Sequence, residues 1–306
     1  MPVDVIKYEF SKIKEILNKE DSEDSFDFAT KASNNEKQEK LEKELDKYLR
    51  RQDDKEQSVL GIDIYKYSKY DYEKQKLIPF IFSLLRNEAE QNFLRCEPFL
   101  KDYYSENQLE QEMIHTGDGG FFIFRNPLDA VIFSLFFNIY LHLFNSFHFY
   151  PLLRKYVGPI TVRYTITYDQ LYKIDSYFYG PAIIKNARII SKDMLNRFLI
   201  DNRTYEWFLL NTRGIENLPI IRLKELNHLF SIEKEDEESF LLGDTEKDPG
   251  IRYVFCQKLE KINVKDDDLE IYNLTIQSVL TCYSDKDSDN SIRITSTAGN
   301  MNCNGI

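Results

Sequence analysis

LEQEMIHTGDGGFFIFR, residues 109–125, is the stretch on which the fold turns. Two runs suited to strands flank Gly117-Asp118-Gly119-Gly120. Asp-Gly between apolar runs predicts a hairpin, because glycine accepts the positive φ that a tight turn demands. The expected strands are 109–116 and 121–125. Upstream, SVLGIDIYKYS (58–68) is rich in β-branched and aromatic residues and predicts a strand. Over 72–96, Leu77, Ile81, Leu84, Leu85 and Ala89 recur at helical spacing. Downstream, Pro127 opens an apolar helix running to about 148, and ITVRYTITY (160–168) alternates as a strand does. The order is β-α-β-β-α-β. That predicts an α+β fold with a ferredoxin-like core, a mostly antiparallel sheet with helices packed on it. Beyond it the pattern predicts helices over 182–193 and near 196–210, and strands over 219–224, 227–233, 251–257 and 269–278.

Composition narrows the setting. The chain has 306 residues, 42% hydrophobic and 14% aromatic, which excludes disorder throughout. A net charge of −11 argues against a nucleic-acid partner, which needs a basic footprint. The four cysteines (96, 256, 282, 303) show no C-x-x-C spacing, so a reducing, cytoplasmic location is expected. The apolar run 130–144 is shorter than the roughly 18 residues that span a bilayer. Ser134, Asn138 and His142 also draw a thin polar stripe along it, so it reads as a buried helix with no membrane span. Residues 1–57 are expected to be a charged helical arm, with Leu41, Leu45, Tyr48 and Leu49 on one narrow face. A catalytic domain over 58–233 follows, then a C-terminal extension over 234–306 whose polar tail, from 284, should be loose.

Two carboxylates carry the chemistry. Asp63 interrupts an apolar strand in GIDIY, and Asp118 sits in the hairpin turn. A carboxylate in a buried strand is costly unless paired or bound to metal. In a ferredoxin-like sheet the first strand lies beside the hairpin, so the two can meet at one sheet edge. Two carboxylates meeting there repel unless divalent cations lie between them.

From these residues the chain over 58–233 resembles the catalytic domain of class III nucleotidyl cyclases. GIDIY matches the segment with the first metal-binding Asp, and TGDGGFF (116–122) the segment with the second. YFYGPAIIKNARII (177–190) resembles the segment that ends in the transition-state arginine, which puts Arg188 in that place. RLKEL (222–226) resembles the strand with the triphosphate-binding lysine, which puts Lys224 there. The resemblance implies two Mg²⁺ or Mn²⁺ ions per site, held by Asp63, the backbone carbonyl of Ile64, and Asp118. It also implies a head-to-tail homodimer with composite sites, the metals from one subunit and the Arg and Lys from the other.

The departures point to the base. Purine cyclases of this family carry Lys four residues before the second Asp, where this chain has Ile114. They carry a polar selector three residues before the motif glycine, where this chain has Tyr177. Tyr67, four residues after Asp63, is large enough to narrow a base pocket. In these features the chain looks like the Pycsar pyrimidine cyclases of bacterial anti-phage defence, which make cyclic UMP or cyclic CMP from UTP or CTP for a separate cyclic-nucleotide effector. Ile184 stands where the family often has a catalytic Asn, and Asn186 is the candidate replacement. An adenylate or guanylate cyclase of the same fold, or a catalytically silent nucleotide-binding dimerisation module, are the alternatives.

Overall fold

Alternation within residues 56–64 decides the layering. Val59, Gly61 and Asp63 point to one face of their strand, and Leu60, Ile62 and Ile64 to the other. A computed structural model describes residues 6–18, 34–49, 55–96, 104, 109, 113–211, 240–241, 250–259, 261–264, 267–283 and 291–302. The elements run β1 (Ile6–Tyr8), α1 (Phe10–Asn18), α2 (Asn34–Leu49), β2 (Glu56–Ile64), α3 (Tyr72–Cys96), β3 (Ile114–His115) and β4 (Gly119–Phe124). Then come α4 (Pro127–Asn145), α5 (Pro151–Val157), β5 (Val162–Gln170), β6 (Tyr172–Ile174), β7 (Tyr177–Tyr179), α6 (Pro181–Lys192), β8 (Phe198–Asp201) and α7 (Asn202–Asn211). The chain continues with β9 (Phe240–Leu241), β10 (Gly250–Lys258), β11 (Ile262–Val264), β12 (Asp267–Leu269), β13 (Ile271–Tyr283) and β14 (Ser291–Ala298).

The main sheet has the order β3-β4-β2-β5-β8-β13-β10-β9, with β14 also on β13. Its first four strands, with α3 and α4, are the α+β ferredoxin-like arrangement that the sequence predicts. Their pairings are antiparallel, and β5 to β8 is parallel, with α6 in the crossover.

Aromatic rings fill the layer between the sheet and α3 and α4. Phe122 lies 5.0 Å from Phe133, Phe82 5.3 Å from Phe137, and Phe93 5.9 Å from Phe133. The opposite face takes α6. There Asn186 Nδ2 donates to Val59 O (2.7 Å), Thr165 O (3.0 Å) and Thr167 Oγ1 (3.2 Å). Gly61 lies under this amide, where any Cβ would overlap Asn186 Oδ1. The glycine inside an otherwise bulky strand is thus a close-approach residue.

The apolar helix α4 has 19 residues and a mean hydropathy of 1.5, enough by length and composition to cross a membrane. It is nonetheless 78% buried within the protein. Its N-terminus is set by Asn126, whose side chain accepts from Asp129 N (2.9 Å), followed by Pro127.

Three expectations change. The N-terminal arm is not wholly helical, because β1 pairs in parallel with β6 and Tyr8 packs its ring on Tyr48 and Tyr172. The tail from 284 is not loose throughout. Ser291–Ala298 is a strand paired along β13, since Ile292, Ile294 and β-branched threonines alternate there. The helix expected near 196–210 begins later, because Phe198–Asp201 is a fully buried strand. The strands expected over 219–233, Lys224 among them, lie outside the described residues.

Asp201 ends β8 and caps α7, its Oδ1 accepting from Thr204 N (2.9 Å) and Tyr168 N (3.3 Å). Burial raises its carboxyl to about 6, with the Thr204 hydrogen bonds and Lys185 opposing. A raised carboxyl adds stability when protonated and loses it as pH climbs from about 4 through 6. Asp201→Asn keeps the Oδ1 acceptor, and the Thr204 hydroxyl can accept its new N–H. The variant is expected to exceed the native chain by up to about 3 kcal/mol at pH 8 and to converge with it toward pH 4. Thermal midpoints of the two proteins across that range check this.

Candidate active site

The register places the site at one end of the sheet. Asp63 on β2 stands opposite Gly119 on β4 and Arg163 on β5, so all three share a row and a face. Asp118 immediately precedes Gly119. Its carbonyl accepts from Ile64 N (3.1 Å), and Thr116 N closes the turn on Gly119 O (3.2 Å). Gly117, with φ +97°, supplies the left-handed residue that this turn requires. The hairpin therefore brings Asp63, Ile64 and Asp118 together, as their sequence positions predict.

Electrostatics mark Asp63. Burial raises its carboxyl, Arg163 opposes the rise, and the charge of Asp118 adds to it. Arg163 Nε donates to Asp63 Oδ2 at 2.6 Å, the two side chains being 19% and 16% exposed. Its Nη1 reaches Asp193 O at 2.5 Å. A cation in this alternating strand gave no signal of its own in the sequence. It becomes a site residue only once the register sets it against Asp63.

Two carboxylates and a carbonyl are hard oxygen donors, suited to Mg²⁺ or Mn²⁺. Among the described residues there is no cluster of three or more His, Cys, Asp or Glu able to hold a metal. The donor set therefore fits a cation that keeps waters and completes its shell with substrate phosphates, as Mg²⁺ commonly does. His115 pairs with Gly120 and so faces away from Asp63.

Other candidates sit elsewhere. Asn186 does not reach the site. It is 0% exposed and spends its N–H groups on the sheet, because Ala182, Asn186, Ile189 and Ile190 form the buried stripe of α6. It is a packing residue, which corrects the catalytic assignment. Arg188 lies off that stripe, one turn after Ile184, which is 50% exposed. It makes no ion pair among the described residues. Tyr67 forms a short 3₁₀ turn with its neighbours, packs against the core and donates its hydroxyl to Gln75 O on α3 (3.1 Å). Tyr177 begins β7 and is 68% exposed. Ile114 pairs with Phe121 on the face of Asp63, giving that side an apolar patch.

No family model matches the chain, and no curated protein matches it. Solved structures similar to it are adenylate and guanylate cyclase domains. The adenylate/guanylate cyclase/hydrolase from Silicibacter pomeroyi is 14% identical, over 72% of this chain and 96% of that one, with a TM-score of 0.43. The guanylate cyclase domain of RhGC from Catenaria anguillulae, in complex with GTP, is 11% identical over 72% and 96%, with a TM-score of 0.43. The adenylyl cyclase CyaB from P. aeruginosa is 14% identical over 76% and 97%, with a TM-score of 0.39. At such scores the likeness assigns no role to any residue.

Proposed function

We propose that this chain is a cytoplasmic pyrimidine nucleotidyl cyclase that converts UTP or CTP to 3′,5′-cyclic UMP or cyclic CMP and diphosphate, as a second messenger for anti-phage defence. The observation that carries this is the meeting of Asp63 and Asp118 at one sheet end, with the Asp63 carboxyl raised by burial and by its neighbour's charge.

Asp63, Asp118 and the Ile64 carbonyl would hold two Mg²⁺ or Mn²⁺ ions. Bound there, the ions supply Lewis-acid stabilisation of the attacking 3′-oxygen and of the triphosphate. In the reaction a bond forms from O3′ to the α-phosphorus while the bond to diphosphate breaks, and the hydroxyl proton passes to solvent. Arg163 holds one oxygen of Asp63, which keeps the carboxylate ionised beside Asp118 and fixes the edge it turns toward the ligand.

Arg188 and Ile184 share the outer ridge of α6, the position from which a second copy could receive the arginine. A head-to-tail homodimer accounts for both. Arg188 of one subunit would stabilise charge growing on the α-phosphate over the carboxylates of the other, and Lys224 would face the leaving diphosphate. Ile114, where a purine enzyme of the resembled family has a lysine, leaves no cation to read adenine. Tyr177, at the selector position, offers a ring rather than a carboxylate, which suits rejection of purines by size. A separate effector would then read the cyclic nucleotide.

Purified protein given each of the four nucleoside triphosphates with Mn²⁺ is expected to yield cyclic UMP or cyclic CMP by mass spectrometry. A purine product would overturn the base assignment, and no product from any of the four would overturn the enzyme.

A further inference from the structure

We infer that the loop Asp193–Asn196, anchored by the C-terminal segment after β14, positions the Asp63 carboxylate for its metal. This rests on the cyclase reading above.

The loop is built on a buried ion pair. Asp193 and Arg197 are 1% and 0% exposed. The Asp193 carboxylate accepts from Arg197 Nε (2.8 Å), Arg197 N (2.7 Å) and Leu195 N (3.2 Å). A buried charge pair is tolerable when its geometry is good and its remaining sites are hydrogen-bonded. Here three N–H groups surround the carboxylate, which fixes the backbone from 193 to 197.

That rigid turn presents three consecutive carbonyls, each with a partner. Asp193 O accepts from Arg163 Nη1 (2.5 Å), Met194 O from the Tyr65 hydroxyl (2.5 Å), and Leu195 O from Asn300 Nδ2 (3.0 Å). The first two partners flank Asp63. Arg163 is its cross-strand neighbour and holds its Oδ2, and Tyr65 follows two residues along the chain. The third partner belongs to the C-terminal segment. Asn300 is itself held there, its Oδ1 accepting from Asn302 N (2.9 Å) and its carbonyl from Asn273 Nδ2 (2.7 Å) on β13. The extension, which sequence alone leaves without a role, thus reaches the carboxylate through three hydrogen bonds: Asn300 to Leu195 O, Arg163 to Asp193 O and Arg163 to Asp63 Oδ2.

Tyr65, Asp193 and Asn300 are positioning residues. Groups that orient a metal's ligands commonly change affinity when removed, although they never touch the metal. Tyr65→Phe deletes one hydroxyl at constant shape, and Asn300→Ala deletes one donor at a half-buried loop position, so neither threatens the core.

The test is Mn²⁺ binding to the full chain, followed by electron paramagnetic resonance, with Leu210→Ala, an exposed position on α7, as control. Tyr65→Phe and Asn300→Ala are each expected to raise the Mn²⁺ dissociation constant by about tenfold. The Mn²⁺ concentration for half-maximal turnover should rise alike, while kcat at saturating Mn²⁺ stays within about twofold of native. Native Mn²⁺ affinity in both variants would overturn the inference and leave the cyclase reading standing. If native protein bound no Mn²⁺ and formed no cyclic product, the cyclase reading would fall and take the inference with it.

Discussion

Asp63→Ala and Asp118→Ala proteins are each expected to form cyclic nucleotide at least about a thousandfold more slowly than the native chain, with Mn²⁺ binding lost in parallel. On the proposed reading the two carboxylates supply the negative charge that would hold the cations, so losing either removes half of it. Removing Asp63 leaves Arg163 with its bond to Asp193 O and with access to water at 19% exposure. The cost to stability should be about 1–3 kcal/mol, between that of an exposed and of a buried ion pair. Asp118 lies in a turn, where truncation keeps the backbone bond from Ile64 N to its carbonyl. Both variants should therefore fold, and far-ultraviolet circular dichroism with a thermal midpoint separates lost chemistry from lost structure. Folded Asp63→Ala or Asp118→Ala protein that kept its rate of product formation would remove the carboxylates from the mechanism.

What the sequence made legible follows from how local each signal is. The hairpin is local: Asp-Gly between apolar runs fixes the turn, and the turn fixes the register of β3 on β4. The core order could be read because the strands are rich in β-branched and aromatic residues and α4 is a long apolar run opened by Pro127. Arg163 was not legible, because a cation in an alternating strand looks like a solvated residue until its partner strand is known. Asp193 and Arg197 are spaced i, i+4, yet their value lies in three backbone carbonyls that carry no sequence identity. Asn186 was misjudged because a polar residue near a catalytic motif invites a chemical role. Its spacing with Ala182, Ile189 and Ile190 already put it on the buried stripe. The strand over 291–298 was lost in a polar tail because serine and threonine dilute its alternation, and its pairing with β13 lies across the sheet rather than next to it in pattern.

An equal mixture of Asp63→Ala and Arg188→Ala proteins, each inactive alone, is expected to recover about a quarter of native activity once subunits exchange. The quarter follows from symmetry: random pairing makes half the dimers mixed, and each mixed dimer rebuilds one of its two sites. The physical ground is the placement of Arg188. It lies on α6 away from the stripe that seals this helix to the sheet, without an ion pair among the described residues. In a single chain, a cation so placed has no evident task beside Asp63, whose own arginine is Arg163. In the proposed head-to-tail pair the same cation would meet a site that holds both carboxylates, with Arg163 already engaged by Asp63. Native mass spectrometry would establish the exchange, and product formation would read the recovery. A mixture shown to contain mixed dimers yet still inactive would mean that Arg188 does not act across the pair, and the composite site would have to be abandoned.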